Sequence, residues 1–235
     1  MKRYQAILFD LDGTLLPMDY DKFLKGYLHL LATHVAPLGY EESALVKAMW
    51  KGVAAMTVND GSRTNEEAFW SVFAAIFGEE CRSHIPHFDR FYRTDFQKAK
   101  AFTEPTAMAR EAVSLAHERA ACVVLATNPY FPRVATEARA AWAGLSYDDF
   151  AHVTTYENSG TCKPNPAYYL EICEKLSLDP TQCLMIGNNA EEDIKASRAV
   201  GMDTFLLTDC LIAEGEIPDG PQGSFSDLLA FLRAL

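Results

Sequence analysis

The 235-residue sequence contains no Cys-x-x-Cys pair, and its six cysteines are scattered along the chain. This spacing does not indicate a disulfide framework, and a chain of this length buries a core without one. Cys122 and Cys183 lie in apolar runs, so we interpret them as small buried hydrophobic residues. The cysteine usage is typical of a reducing compartment.

The sequence is poor in positive charge. It has 21 Lys and Arg against 32 Asp and Glu, and its formal net charge is -11. This balance argues against non-specific binding to nucleic acid or to an anionic membrane surface. A small anionic substrate remains compatible with it, because a local cation can override the global field.

Long hydrophobic runs are absent as well. The run "AACVVLA", residues 120–126, is far too short to span a bilayer. Near the N-terminus, Asp10 and Asp12 interrupt any apolar segment of the kind that a signal peptide needs. There is no internal repeat and no low-complexity segment. We therefore expect a cytoplasmic protein.

The order of apolar and polar residues predicts alternating strands and helices. Short apolar runs closed by turn residues predict buried parallel strands at residues 4–9, 121–126, 183–187 and 204–207. Helical patterns lie at residues 106–119, 132–143, 166–176 and 190–200. This alternation predicts an α/β fold, a Rossmann-like parallel sheet with helices on both faces.

The segment from residue 17 to residue 100 does not show this alternation of strands and helices. It is rich in aromatic residues and predicts helices at residues 21–36, 40–50, 65–77 and 85–98, with no comparable strand signal. We therefore predict an all-helical domain at residues 17–100, inserted into a Rossmann-like core formed by residues 1–16 and 101–235. The Met and aromatic residues of the insert are interpreted as its own core.

The turn after the first strand carries two acids. In "DLDGT", Asp10 and Asp12 can face one point because Gly13 permits an immediate turn. One carboxylate can attack an electrophile such as phosphorus, and the other can pass a proton to the leaving oxygen. Together they would attract a hard cation such as Mg²⁺. The alternative is an ordinary Asx turn or helix cap.

Two later strand ends carry further polar residues, and ligands of open parallel sheets bind at such ends. Thr127 and Asn128 follow the second strand in "ATNP", where a hydroxyl and backbone N–H groups can bind a phosphoryl oxygen. Lys163, in "CKPNP", can neutralise charge on a phosphate. Taken singly, Thr127 also fits a plain turn and Lys163 a solvated surface lysine.

The fourth polar segment follows the strand predicted at residues 183–187 and reads "MIGNNAEED". Asn189 stands at the N-cap position of the next helix, and Glu192 follows at capping-box spacing. Glu191 lies four residues before Lys195, which favours a helical ion pair. We interpret Glu191 and Glu192 as solvated acids that complement the helix dipole. Asn188 and Asp193 are left as candidate polar ligands.

These four strand ends, in this order, resemble the haloacid dehalogenase (HAD) superfamily, and specifically phosphatase-type members with a helical cap of the first class. The motif "FDLDGTL" carries most of the resemblance, and the insert lies between the first and second motifs, where this cap belongs. Asp12 favours phosphate transfer, since halide-displacing members typically lack an Asp there. The resemblance implies that Asp10 is the nucleophile, Asp12 the general acid and base, and Thr127 and Lys163 the holders of the phosphoryl group.

The resemblance also implies a Mg²⁺ site made by Asp10, the backbone carbonyl of Asp12, and the last motif. The family usually has Gly-Asp where this chain has Gly187 and Asn188, and Asp193 fills the later acidic position. Asn188 offers a carbonyl oxygen without a formal charge, so we expect it to ligate Mg²⁺ more weakly than an acid would.

The expected activity is Mg²⁺-dependent hydrolysis of a small phosphate monoester through an aspartyl-phosphate. The expected partner is a small phosphorylated metabolite, and no oligomeric state is predicted. Asp19 and Arg63 are candidate substrate contacts from the insert; for Arg63, a simple surface turn fits the sequence equally well. Two alternatives remain, a phosphomutase of the same fold and a non-catalytic phosphate-binding protein with a weakened metal site.

Overall fold

A computed structural model describes residues 4–235, so residues 1–3 of the predicted segment 1–16 lie outside the described part. A parallel sheet forms the centre of the molecule, with the strand order β3-β2-β1-β4-β5-β6. Its strands are β1 (Tyr4–Phe9), β2 (Ala120–Leu125), β3 (His152–Val153), β4 (Cys183–Gly187), β5 (Asp203–Leu207) and β6 (Gln222–Gly223).

Helices surround this sheet and fill the insert. They are α1 (Tyr20–Val35), α2 (Glu42–Thr57), α3 (Asn65–Phe77), α4 (Ile85–Arg93), α5 (Met108–Arg119), α6 (Arg133–Trp142), α7 (Ala167–Leu176), α8 (Ala196–Arg198) and α9 (Phe225–Ala234). A π-helical turn, Ala190–Lys195, leads directly into α8. None of the helices between residues 4 and 235 has both the length and the apolar character needed to cross a bilayer.

The two faces of the sheet are buried in different cores. Along β1, Ile7 and Phe9 belong to the large core that continues into the insert, whereas Ala6 and Leu8 face a smaller core that includes residues of α7. Successive side chains of a strand point to opposite faces, so a strand buried on both sides reads as one continuous apolar run. The predicted α/β fold with a Rossmann-like sheet is therefore confirmed.

The longer elements lie close to their predicted positions, and the differences have local causes. The strands β3 and β6 and the helix α9 were not predicted; two-residue strands are too short to show a pattern. Helix α2 continues to Thr57, beyond the predicted end at residue 50, and within this extension Gly52 leaves room for the side chain of Phe69. The predicted helix at residues 85–98 ends at Arg93 and is followed by the 3₁₀ helix Asp95–Phe102.

The insert is helical throughout, with no strand within residues 17–100, all of which the structure describes. Its two connections meet, since Met18 and Thr103 form an antiparallel bridge and the amide of Glu104 donates to the carbonyl of Pro17 at 2.8 Å. Closely packed aromatic rings form its core, among them those of Tyr27, Phe73, Phe88, Phe91 and Phe96. The domain boundaries at residues 16 and 101 stay a prediction.

Asn65 ties the insert to the core. Its side chain is fully buried, accepts from Asn59 Nδ2 at 2.9 Å and donates to the carbonyl of Thr161 at 3.3 Å. Its amide donates to the carbonyl of Ser159 at 2.8 Å. The start of α3 is therefore fastened to the loop that precedes Lys163.

We predict that Asn65→Leu lowers the free energy of unfolding by about 1–3 kcal/mol, because it removes hydrogen bonds from buried polar partners. Urea denaturation followed by circular dichroism measures this change. Arg63→Leu is the control, since it alters an exposed side chain of the same loop and is expected to stay within about 0.5 kcal/mol of the wild type. Equal midpoints for the two variants would contradict the anchoring role of Asn65.

Candidate active site

The turn after β1 is shaped by its close approach to β4. Gly13 has a φ of +85°, and a Cβ placed on it would lie 2.3 Å from Asn188 Nδ2. Only glycine combines this positive φ with the absence of a Cβ that would clash with Asn188. The turn brings the Thr14 hydroxyl to 3.2 Å from Asp10 Oδ2 and 2.9 Å from Asn188 Oδ1, so a single hydroxyl joins the two strand ends.

Lys163 Nζ lies between two carboxylates. It donates to Asp10 Oδ1 at 3.0 Å and to Asp193 Oδ1 at 2.6 Å, and its side chain is 0% exposed. Burial by itself lowers the pKa of a lysine, but the charges of Asp10 and Asp193 outweigh it and hold the pKa of Lys163 well above its ordinary value. The ammonium therefore stays charged, and it holds Asp10 at the end of β1.

Thr127 reaches the same edge of the sheet from β2. Its backbone carbonyl accepts from Tyr168 Oη at 2.9 Å and from Thr154 Oγ1 at 2.6 Å, which fixes the turn that carries its side chain. Asn128 donates through Nδ2 to the carbonyl of Lys163 at 3.3 Å. These contacts connect the second and third predicted motifs.

Asn128 also meets an acid that the sequence indicated to be solvated. Its Nδ2 donates to Glu192 Oε2 at 3.0 Å, and its buried Oδ1 has no hydrogen-bond partner among the described residues. Burial raises the pKa of Glu192, although the charge of Lys163 opposes this. Our interpretation of Glu192 as a solvated acid was wrong, because its carboxylate accepts a hydrogen bond from Asn128.

Asn189 caps the π-helical turn, as predicted, by accepting from the amides of Glu191 and Glu192. Its own amide donates to Asp193 Oδ2 at 2.9 Å. The reciprocal acid of the cap is therefore Asp193 and not Glu192. The predicted pair of Glu191 with Lys195 is present on the exposed side.

Asp12 is paired with a buried arginine that we did not predict to be functional. Arg139 on α6 is 0% exposed; it donates to Asp12 Oδ2 and, at 3.3 Å, to Thr136 Oγ1. Its guanidinium lies 4.2 Å from the ring centroid of Phe131. Burial raises the pKa of Asp12 and the charge of Arg139 opposes that shift. The second oxygen, Asp12 Oδ1, is buried without a hydrogen-bond partner in residues 4–235.

One signal in the sequence pointed to Arg139. Within α6 the buried positions are Ala135, Thr136, Arg139, Ala140 and Trp142, so an arginine occupies the face that packs inward. A charged residue on a buried helix face is rarely left unpaired. The partner could not be named from the pattern, because Asp12 is 127 residues away along the chain.

Asn188 presents an oxygen toward the turn after β1. Its Nδ2 donates to the carbonyl of Cys210 at 2.7 Å, which leaves Oδ1 facing Thr14. The oxygens Asp10 Oδ2 and Asn188 Oδ1 thus both lie within hydrogen-bonding distance of the Thr14 hydroxyl. An aspartate at position 188 could not donate this hydrogen bond to the carbonyl of Cys210.

Asp10 and Asn188 offer the carboxylate and carbonyl oxygens that a hard cation such as Mg²⁺ prefers. The Asp193 carboxylate is engaged by Lys163 and by the amide of Asn189. Over residues 4–235, no group of three or more His, Cys, Asp and Glu side chains is arranged to hold a metal ion. The predicted set of Asp10, Asp12, Asn188 and Asp193 stays a prediction.

A pocket of about 220 Å³ opens beside these groups. Six of the predicted site residues line it, namely Asp10, Asp12, Thr127, Asn128, Asn188 and Asp193. Lys163 lies behind its wall. Asp19 instead caps α1, and Arg63 lies in an exposed loop beside a different cleft, so within the described chain neither lines this pocket. Their role as substrate contacts stays a prediction.

Comparisons with known proteins agree with the geometry. A family model described as haloacid dehalogenase-like hydrolase matches residues 4–201. The chain therefore belongs to the haloacid dehalogenase-like hydrolase family, which confirms the resemblance read from its motifs. A phosphoglycolate phosphatase from Psychrobacter arcticus is 39% identical over 62 residues, which are 26% of this chain and 26% of that protein.

Solved structures share the fold over nearly the whole chain. A HAD phosphatase from Thermococcus onnurineus has a TM-score of 0.62 at 16% identity, covering 97% of each chain. The HAD hydrolase YfnB from Bacillus subtilis, bound to magnesium, has a TM-score of 0.61 at 19% identity, covering 99% of this chain and 100% of its own. A 2-haloacid dehalogenase from Pseudomonas syringae has a TM-score of 0.64 at 16% identity, covering 98% of each. At these identities the likeness shows the fold alone.

We predict that Arg139→Met lowers the free energy of unfolding by about 3–5 kcal/mol, since it leaves the Asp12 carboxylate without its buried partner. In the double variant with Asp12→Asn, part of this loss is recovered because the unpaired charge is gone. Urea denaturation of the wild type, both single variants and the double variant measures the coupling.

Arg133→Met is the matched control, being the same substitution at an exposed position of α6. Its change is expected to stay within about 0.5 kcal/mol. Losses of Arg139→Met and Asp12→Asn that simply add would show that the two side chains do not depend on one another.

Proposed function

We propose that the protein is a phosphohydrolase that cleaves a small phosphate monoester through an aspartyl-phosphate on Asp10. The observation that carries the proposal is the arrangement of Asp10 and Asp12 at one pocket. Asp10 is held by a buried ammonium, and Asp12 is held by a buried guanidinium with one oxygen left without a partner. This arrangement supports a role as nucleophile for Asp10 and as proton carrier for Asp12.

Asp10 is suited to attack phosphorus. Lys163 fixes one of its oxygens, and Thr14 lies beside the other. In the first step an Asp10 oxygen forms a bond to phosphorus while the bond to the ester oxygen breaks. Phosphoryl transfer depends mainly on alignment and charge compensation, and Lys163 supplies both.

Asp12 carries the proton in each step. Burial favours its protonated form, so it can donate to the departing alcohol oxygen. The charge of Arg139 favours the carboxylate that remains, which then takes a proton from the attacking water. That water cleaves the bond between Asp10 and phosphorus, releasing inorganic phosphate and restoring both acids.

Thr127 and Asn128 line the pocket after the end of β2 and would hold the phosphoryl oxygens. Asp10, Asn188 and the backbone carbonyl of Asp12 would hold Mg²⁺, the cofactor that HAD enzymes generally use. When bound, Mg²⁺ supplies charge compensation for the carboxylates and the phosphate. The short match to a phosphoglycolate phosphatase supports a small phosphorylated substrate.

Structural neighbours of this chain include both phosphatases and dehalogenases, so the fold does not separate the two reactions. Asp12 favours the phosphatase. Its pairing with Arg139 keeps a titratable carboxyl at the pocket, which the release of an alcohol needs and the release of a halide ion does not. Hydrolysis and transfer to a second substrate hydroxyl use the same residues, so a phosphomutase remains the second candidate.

We predict that the wild type, supplied with Mg²⁺, releases inorganic phosphate from monoesters and no halide from 2-haloacids. Asp12→Asn lowers kcat by about 10²–10⁴-fold, the usual contribution of a proton carrier. Asp10→Asn abolishes turnover. Phosphate and halide assays measure the products, and mass spectrometry of quenched reactions detects the phosphoryl group on Asp10.

Urea denaturation of both variants serves as the folding control for this test. Halide release without phosphate release would make the protein a dehalogenase. Full activity of Asp10→Asn would rule out the covalent intermediate.

We predict two opposite effects of Asn188→Asp. Without divalent cations it lowers the free energy of unfolding by about 1–3 kcal/mol, because the Cys210 carbonyl loses its donor. With Mg²⁺ it tightens binding at least about tenfold, since a formal charge replaces an amide dipole. Calorimetric titration with Mg²⁺ in the absence of substrate measures the affinity.

Asn189→Asp is the matched control, because it adds the same charge at the neighbouring residue and keeps a good N-cap. Its effect on Mg²⁺ affinity is expected to be much smaller. If both substitutions changed the affinity equally, a general field effect would replace ligation by residue 188 as the explanation.

A further inference from the structure

A second cavity, here called the apolar chamber, adjoins the pocket that contains Asp10. Its volume is about 250 Å³. Helix α1 contributes Leu24 and Leu28 to its wall, and α2 contributes Met49, Trp50 and Val53. None of the described residues that line it carries a charge, whereas four of the twelve that line the neighbouring pocket are acids and three are asparagines.

The few polar atoms of the apolar chamber include hydroxyls that are already engaged. Tyr27 Oη is hydrogen-bonded to Tyr92 Oη at 2.9 Å, and Tyr130 Oη to Thr57 Oγ1 at 2.9 Å. A polar group that entered the chamber would lose water and gain few partners, which is unfavourable. An apolar group that entered the chamber would have no hydrogen bonds to water to lose.

The apolar chamber and the pocket share part of their walls. Tyr20, Tyr130 and Phe131 line both cavities. The ring of Phe131 lies 5.3 Å from that of Tyr27 in the chamber and 4.2 Å from the guanidinium of Arg139, which holds Asp12. A molecule whose phosphate lies at Asp10 therefore has the chamber as a neighbouring cavity, across the shared side chains.

We infer that the apolar chamber receives an apolar alkyl or aryl group of the substrate, so that the substrate is a hydrophobic phosphate monoester and not a sugar phosphate. This inference rests on the proposed phosphohydrolase function. The size agrees, because an apolar cavity of about 150 Å³ is enough to bind benzene. Trp50, 49% exposed at the edge of the chamber, offers an aromatic surface to an entering group.

The first test uses primary alkyl phosphates of increasing chain length, from methyl to hexyl phosphate, whose leaving groups have similar reactivity. We expect kcat/KM to rise about fourfold for each CH₂ until the chamber is filled. Propyl phosphate is compared with glycerol 3-phosphate, which has the same carbon chain with added hydroxyls. We expect the propyl ester to be preferred.

The second test fills the chamber. Val53→Phe is expected to raise KM for hexyl phosphate at least about tenfold and to leave methyl phosphate unchanged. Val58→Phe is the matched control, because Val58 directly follows the same helix, is 80% exposed and does not line the chamber. If Val53→Phe fails to fold, Leu28→Asn tests the same wall with a polar side chain.

A third measurement separates the chamber from the reaction. Hexan-1-ol carries no phosphate, and its binding is followed by the fluorescence of Trp50, with Trp50→Phe identifying the signal. If no phosphate ester is hydrolysed but hexan-1-ol binds to the wild type and not to Val53→Phe, the proposed function fails and the chamber stands as an apolar binding site.

Two results would overturn the inference. One is active phosphate hydrolysis with no dependence on chain length or with glycerol 3-phosphate preferred, which leaves the proposed function intact. The other is that hexan-1-ol does not bind to the wild type, or that it binds equally well to Val53→Phe.

Discussion

The buried ion pairs of Lys163 are the constraint on which the site depends. An ammonium that is 0% exposed is tolerated only when it is closely paired. Its partner Asp10 follows β1, and its partner Asp193 lies in the π-helical turn after β4. The lysine therefore fixes the turn after β1, the loop before α7 and the π-helical turn relative to one another. Asn189 completes the arrangement, since its amide holds the second oxygen of Asp193.

A second buried cation changes the balance of charge around this centre. Arg139 offsets Asp12, and Asn188 stands where the family usually has an acid, so the site carries fewer uncompensated negative charges than its motifs alone indicate. Both changes reduce the electrostatic attraction for a divalent cation. Both polar atoms of the Asn188 side chain nevertheless have hydrogen-bond partners. Its Oδ1 accepts from the Thr14 hydroxyl, and its Nδ2 donates to the carbonyl of Cys210.

The helical insert contributes a surface of a different chemistry. Its helices α1 and α2 form uncharged walls around the apolar chamber, while the sheet edge supplies acids and cations a short distance away. Phe131 lies where the two regions meet, with Tyr27 on the insert side and Arg139 on the sheet side. Polar chemistry and apolar recognition are thus separated by a few aromatic side chains.

The sequence by itself determined the four longer strands of the sheet and half of the residues that line the pocket. Apolar runs defined β1 and β4 to the residue, and the rule that ligands bind at strand ends selected Asp10, Asp12, Thr127 and Asn188, which line one cavity. Only the tertiary structure decided the pairing of Arg139 with Asp12, the inward turn of Glu192, the orientation of the Asn188 amide and the apolar chamber. These features depend on which helix face meets which distant loop, and local periodicity contains no information on contacts between residues far apart in the chain.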